Sequence, residues 1–300
     1  TKVTCTISNC LATGNIDLRS NAGGLVGSLW TGSSLTMTES LFAGTFKTGV
    51  ASSSSNNGTA IGNARNGSAT VTNVYVKEGS NVSTKIGNKG SNVDTGVTNL
   101  ANSKLLGSSA YGNMNVDFYE KDKNETGAWY AMADSHPVLT SFADTSNPVD
   151  LTTAQGVRTY WFDAENPKTS YILSSPAELR GLQALAATED FCGIEIKLGK
   201  DIDLNPGWTA GATAPSNVWT PIGRSATNTS TIVPFRGTFN GQGHTISGVY
   251  VNSASERIGF FAATGADAKI QNFTLENSII NSTKTSSTGS VGSIVGRLGG

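Results

Sequence analysis

Three groups of carboxylates lie close enough in sequence to raise acid–base chemistry: Asp201 and Asp203 in KDIDL, Asp163 and Glu165 in WFDAEN, and Asp117, Glu120 and Asp122 in VDFYEKD. Glycoside hydrolysis needs two carboxylates held across the scissile bond. Asp201 and Asp203 are two apart on an alternating strand, so both point outward while Ile202 and Leu204 point inward. The acids from 117 onward alternate with Lys121 and Lys123, the pattern of an exposed turn. None of the three groups falls on a repeated stretch where a long groove would run. The expectation is that the chain is not an enzyme.

Other chemistry fares similarly. His136 and His244 are far in sequence from Cys5, Cys10 and Cys192, and no pair has zinc-ligand spacing, so no metal and no cofactor are expected. GTFNGQGH (237–244) is rich in glycine, but no Lys-Ser/Thr and no helix follow it, so it reads as strand corners rather than a phosphate loop. The thiols are expected as small buried packing groups; a Cys5–Cys10 disulfide is the alternative. Seven N-x-Ser/Thr sequons occur, at Asn57, Asn66, Asn81, Asn124, Asn228, Asn272 and Asn281. Aromatic side chains that could stack on a sugar are Trp30, Trp208 and Trp219, with a packing role as the competing reading.

The positioning elements follow from composition and repetition. The chain has 300 residues, 21 basic and 22 acidic, with a net charge of −1 and no basic stripe, which argues against nucleic acid as a partner. Its 35 glycines, with abundant Ser, Thr and Asn and with β-branched residues, suit an all-β chain with many bends. No apolar run approaches the roughly 18 residues of a membrane span, and no membrane insertion is expected in this segment.

Internal repeats carry the strongest signal. CTISNCLATGNI (5–16) aligns without gaps on LTMTESLFAGTF (35–46), so that Ile7 meets Met37, Leu11 meets Leu41 and Ile16 meets Phe46. TVTNVYV (70–76) and KIQNFTL (269–275) are further copies, with Asn9, Asn73 and Asn272 at one shared corner. Asn tolerates the left-handed conformation such a corner needs. Gly-flanked apolar triplets precede the copies: Gly27 to Met37 spans 10 residues, Gly62 to Val71 spans 9 and Gly259 to Ile270 spans 11. Three short strands per repeat predict a right-handed parallel β-helix, whose rungs bury their inner side chains only against neighbouring rungs. Joining Gly300 to Thr1 would give a span of 11 from Gly296 to Ile7. The expectation is that the chain is one period of a tandem array, with 291–300 of one copy pairing with 1–16 of the next. The edge residues would be Val3, Cys5, Ile7, Val291, Ile294 and Val295.

Two stretches break the repeat. SSPAELRGLQALAATED (174–190) carries a capping box at Ser175 and Glu178, Pro176 at the first helical position and an apolar stripe at Leu179, Leu182, Leu185 and Ala186. It predicts one helix over 176–187 that lids the first rungs. The stretch 99–143 is aromatic-rich and non-repeating and is expected to lid the opposite end. The organisation expected is therefore 1–144 as the end of one β-helix with its cap, 145–156 as a linker, and 157–300 as a capping helix with the first rungs of the next.

Residues 171–251 and the blocks VGSIVG (291–296) and AGGLVG (22–27) resemble bacterial surface proteins that carry the GLUG motif, and SHPVLTSFAD (135–144) is similar to the segment closing such regions. The resemblance implies a secreted or wall-attached, adhesin-like protein and brings no catalytic residues with it. The function expected is a structural or adhesive repeat unit of an extracellular bacterial surface protein or fibre. Its partners would be neighbouring copies of itself, with host or bacterial glycans or surface proteins as further ones. The alternatives are a glycan-binding module and, behind it, a β-helical polysaccharide-degrading enzyme.

Overall fold

A computed structural model describes residues 3–17, 20–47, 55–79, 82–223, 232–285 and 289–299. Thr1, Gly300, Asn81 and Asn228 lie outside them. The chain is predominantly β and divides into two compact units, Thr1–Asp150 and Leu151–Gly300. The division falls inside 145–156. The second part of that stretch is not an independent spacer: Ala154 is fully buried and its carbonyl accepts the Ala177 N–H at 2.9 Å.

The first unit is built from parallel ladders. Strands β1 (Thr4–Ser8), β2 (Leu11–Ala12) and β3 (Asn15–Asp17) are followed by β4 (Val26–Ser28), β5 (Ser34–Phe42) and β6 (Thr45–Lys47), then by β7 (Ile61–Asn63), β8 (Ser68–Lys77) and β9 (Val97–Leu100). The order β1–β5–β8–β9 forms one parallel sheet, β2 also pairs with β5, and β3–β6 and β4–β7 are parallel pairs. The gapless sequence alignment is the pairing register: Ile7 faces Met37 and Met37 faces Val71, Leu11 faces Leu41, and Ile16 faces Phe46. Equivalent residues meet because each strand buries its apolar face against the same face of the next.

The corner recurs, with an irregularity in the second unit, where residues 241–243 stand against Asn272 alone. Asn9, Glu39 and Asn73 have φ of 48°, 46° and 52°, and the equivalent Gln242 and Asn272 of the second unit have 54° and 59°. The two asparagine-free corners were not legible in the sequence, because Glu and Gln do not favour positive φ by themselves. Inward residues Met37, Phe42, Phe46, Ile61, Val74, Val76, Ile86 and Val97 form one core.

After β9 come α1 (Gly107–Asn113) and the antiparallel pair β10 (Trp129–Tyr130) and β11 (Val138–Leu139). The sequence places this stretch as an end lid, whereas the structure lays it along a side. The Trp129 indole N–H donates to Asn9 Oδ1 at 3.1 Å, and the Asn115 N–H donates to Tyr75 Oη at 2.6 Å. The segment thus reaches from the β1–β2 corner to β8. Leu41 and Tyr75, which neighbour inward Phe42 and Val76 and so point to the other face, are buried as well. An outer face that is itself apolar needs a cover, and the stretch carrying Asn115 and Trp129 reaches that face.

The second unit begins with β12 (Ser170–Leu173), crosses through α2 (Pro176–Leu185) and returns as β13 (Glu195–Leu198), parallel to β12. The capping box forms: Ser175 Oγ accepts the Glu178 N–H at 3.2 Å, and Glu178 Oε2 accepts the Ser174 N–H at 2.8 Å. Leu179, Leu182 and Ala186 pack into the same core as Leu198, Ile202 and Leu204. The Arg180 guanidinium is buried beside them and donates to the Leu204 carbonyl at 2.9 Å; burial lowers its pKa to about 10, which leaves it charged at neutral pH. The helix ends two residues earlier than the sequence predicts.

Strands β14 (Ile202–Asp203), β15 (Thr238–Ser247), β16 (Tyr250–Ser253), β17 (Arg257–Ile258) and β18 (Phe261–Thr264) precede β19 (Lys269–Glu276), β20 (Ile279–Ser282), β21 (Ser290–Val291) and β22 (Val295–Leu298). All their pairings are parallel: β13 and β14 with β15, β15 with β19, β16 with β20, β17 with β21 and β18 with β22. Phe235, Phe239, Phe260 and Phe261 fill the interior as a chain of tilted and edge-on rings.

Candidate functional site

The carboxylate groups are placed at the surface and held by local contacts. Ile202 and Leu204 are buried, as alternation requires, while Asp201 is exposed. Asp201 Oδ1 accepts the Thr245 N–H at 2.9 Å and lies 3.2 Å from His244 Nδ1. These contacts, the backbone one first, hold its carboxyl below the usual carboxylate range. Asp203 Oδ1 is turned to the Asn205 N–H. Asp163 closes a turn by accepting the Glu165 and Asn166 N–H groups, Asp117 accepts from Asn124, and Glu120 pairs with Lys123 at 3.2 Å. Asp201, Asp203, Asp163, Asp117 and Glu120 each have a structural partner of their own, and no group of three or more His, Cys, Asp or Glu side chains among the described residues is arranged to hold a metal ion. No helix among those residues is long and apolar enough to cross a membrane.

The three tryptophans separate sharply. Trp219 is 1% exposed, lies stacked on Phe260 at 4.8 Å and donates its indole N–H to the Phe260 carbonyl, so both faces belong to the core. It is removed from the sugar-stacking candidates. Trp208 is half-buried, edge-on to Tyr250, and its N–H is tied to the Thr213 carbonyl. Trp30 is 81% exposed and is the one candidate of the three with its ring open to solvent.

The cysteines depart from expectation: Cys5, Cys10 and Cys192 are all free and all exposed. For Cys5 the cause lies in its strand. It pairs with Leu35, which is buried, but β1 has a partner on one side only, so nothing covers the position from the other.

That relation extends along both sheet edges. In the first unit, Val3 is 58% exposed and Ile7 half-exposed, while Met37, the ladder partner of Ile7, is fully buried. In the second, Val291 is 54% exposed where its partner Ile258 is buried, and half-exposed Val295 faces buried Phe261. Ile294 and Leu298 are exposed on the same edge. The strands of 291–300 and of 1–16 hold different positions in the ladders. Strands of the VGSIVG type (β4–β7, β18–β22) and of the TISNC type (β1–β5–β8) belong to different ladders. Gly296 corresponds to Ala262, not Gly259, because Phe261 faces Val295 and Ala263 faces Arg297. The bulge-free triplet pattern hid this shift.

Sequons divide by environment. Asn57 is buried with its carbonyl oxygen on the Ala22 N–H, and Asn272 and Asn281 take part in amide pairs, whereas Asn66 sits exposed in a turn. No protein-family model, no curated protein and no solved structure matches the chain.

Proposed function

We propose that this chain is a structural and adhesive repeat unit of an extracellular bacterial surface protein or fibre, made of right-handed parallel β-helix turns that assemble end to end along their axis. The observation that carries the reading is the repeat register, in which Ile7, Met37 and Val71, and likewise Phe239 and Ile270, stand strand over strand in parallel ladders. The edge strands of such ladders are templates for further strands. Parallel ladders with short connections and aligned left-handed corners support the helical architecture, and parallel crossovers are right-handed in nearly every known case. The surface location and adhesive role rest on the GLUG-motif resemblance. No residue is assigned a catalytic role.

Sedimentation velocity and electron microscopy of the 300-residue chain test the reading. Oligomers that lengthen with concentration are expected, and Ile7→Lys or Val295→Lys, each placing a charge in an edge that must lose water, should abolish them. A chain that stays monomeric at every concentration, or lysine variants that assemble like the parent, would overturn it. The exposed indole of Trp30 favours a second reading, glycan contact. Retention on immobilised glycans that disappears in Trp30→Ala would support it, and retention unchanged by that substitution would count against it.

A further inference from the structure

We propose that the outer face of the first unit's sheet binds ice, through a lattice of serine and threonine hydroxyls that the ladder register assembles. In the sequence these hydroxyls lie in separate stretches, TCTIS (4–8), SLTMT (34–38) and SATVT (68–72). The register brings them together row by row. Thr4 pairs with Ser34 and Ser34 with Ser68, Thr6 with Thr36 and Thr36 with Thr70, Ser8 with Thr38 and Thr38 with Thr72. Alternation sends the residues between them, Leu35 and Met37 on β5, into the core, so the hydroxyl residues point the other way. The feature is a face and not an edge. Strand β5 has a neighbour on each side, and Thr70 and Thr72 on β8 are exposed to solvent.

Three properties of the patch suit an ordered water lattice. The first is spacing. Rows repeat at the strand separation, about 4.8 Å, and positions along a strand at two residues, about 6.6 Å. A grid with repeats of this size in both directions is comparable to the grid of oxygen atoms on a prism face of ice. The second is rigidity. Threonine is β-branched and restricted at χ1, and Thr36 at the centre is held between Thr6 and Thr70. Asn9, Glu39 and Asn73 follow Ser8, Thr38 and Thr72 with the same left-handed backbone, so the rows end in line. The third is uncommitted hydrogen bonding. Among the described residues, Ser68 Oγ is the one hydroxyl of the patch with a protein partner, the Ser33 carbonyl at 3.4 Å. Each of the others keeps a donor and acceptors for water, and each threonine sets beside them a methyl group around which water orders.

The complementarity extends to charge. No acid or base occupies any of these positions, and an ice surface is likewise uncharged and made of donors and acceptors alone. The fold does not impose this neutrality. On the second unit, β13 sets Glu195 and Lys197, paired at 3.1 Å, in a ladder with Thr238 and Asn240 of β15, and β19 adds Lys269 and Gln271. An ammonium group binds its own hydration shell strongly and would interrupt a continuous lattice. A crystalline polysaccharide is the other neutral, hydroxyl-rich solid, but no aromatic ring stands among these positions to stack on a sugar face. The proposal goes beyond the assembly reading and does not depend on it.

Ice affinity of the 300-residue chain tests it. Labelled protein is presented to ice growing slowly on a cold finger, with serum albumin as the excluded control, and thermal hysteresis is read on the same samples. The parent should be enriched in the ice and should hold its growth below the melting point. Thr36→Lys and Thr70→Lys, each placing a hydrated charge inside the lattice, should lose both effects. Thr274→Lys, at an exposed position of β19 in the second unit, should lose neither. Circular dichroism establishes that each variant is folded, and the exposed Thr70→Lys site decides the matter if Thr36→Lys does not fold. Exclusion of the parent from ice overturns the proposal, as does enrichment that survives Thr70→Lys. Retention on crystalline cellulose or chitin that Thr70→Lys abolishes, with the parent excluded from ice, overturns it as well and reassigns the face to a polysaccharide.

Discussion

Residue identity and exposure decide most of what a side chain here can do. Trp219 and Trp30 are the same residue type in glycine-rich surroundings, yet one is enclosed by Phe260 and the other projects into solvent. Trp219→Ala should cost roughly 3–5 kcal/mol, whereas Trp30→Ala should stay within about 0.5 kcal/mol of the parent; urea unfolding measures both. Sequence could nominate both rings but could not rank them, because burial of an aromatic in a loop depends on what folds over it. The acids behave in a similarly local way. Thr245 and His244 lower the Asp201 pKa, and Asn240, with Lys197, lowers that of Glu195. A carboxyl depressed in the folded state contributes stability above its unfolded pKa, and loses it as pH falls through the folded value. Melting temperature should therefore decline as pH drops below about 4, and Asp201→Asn should make that decline shallower. An unchanged acid limb would mean that the Thr245 and His244 contacts do not persist in solution.

At the level of elements, the helix and the corners show local chemistry working under tertiary control. The capping box at Ser175 and Glu178 was readable because its signals are contiguous. Ser175→Ala should lower stability by about 1 kcal/mol, read as a shift in the urea midpoint with an unchanged slope. The corner stack was readable at Asn9, Asn73 and Asn272 and invisible at Glu39 and Gln242, where the flanking rungs impose a positive φ on residues that do not seek it. Glu39→Asn should raise stability by up to about 1 kcal/mol, seen as a higher melting temperature; a loss would show that contacts of the Glu39 side chain outweigh its backbone strain. The aromatic stretch after β9 was legible as non-repeating, but its destination was not. Only the contacts of Trp129 with Asn9 and of Asn115 with Tyr75 show that it covers a face.

For the whole molecule, the two units each own a core, one centred on Met37 and Ile61 and the other on Phe239 and Phe261. Residues 1–150 and 151–300 expressed separately should each unfold cooperatively, monitored by circular dichroism; a half that lacks a transition would tie its stability to the other. The sequence alone determined the β-rich class, the helix with its cap, and the register of the nearest repeats, because each is set by patterns within a few residues or by gapless identity. The tertiary structure decided which apolar positions are left uncovered, how 102–142 lies against its sheet, and which residue corresponds to Gly296. Those depend on whether a neighbouring strand stands on one side or both. A residue's alternation fixes the face it points to, but only the presence of the next rung determines whether that face is buried.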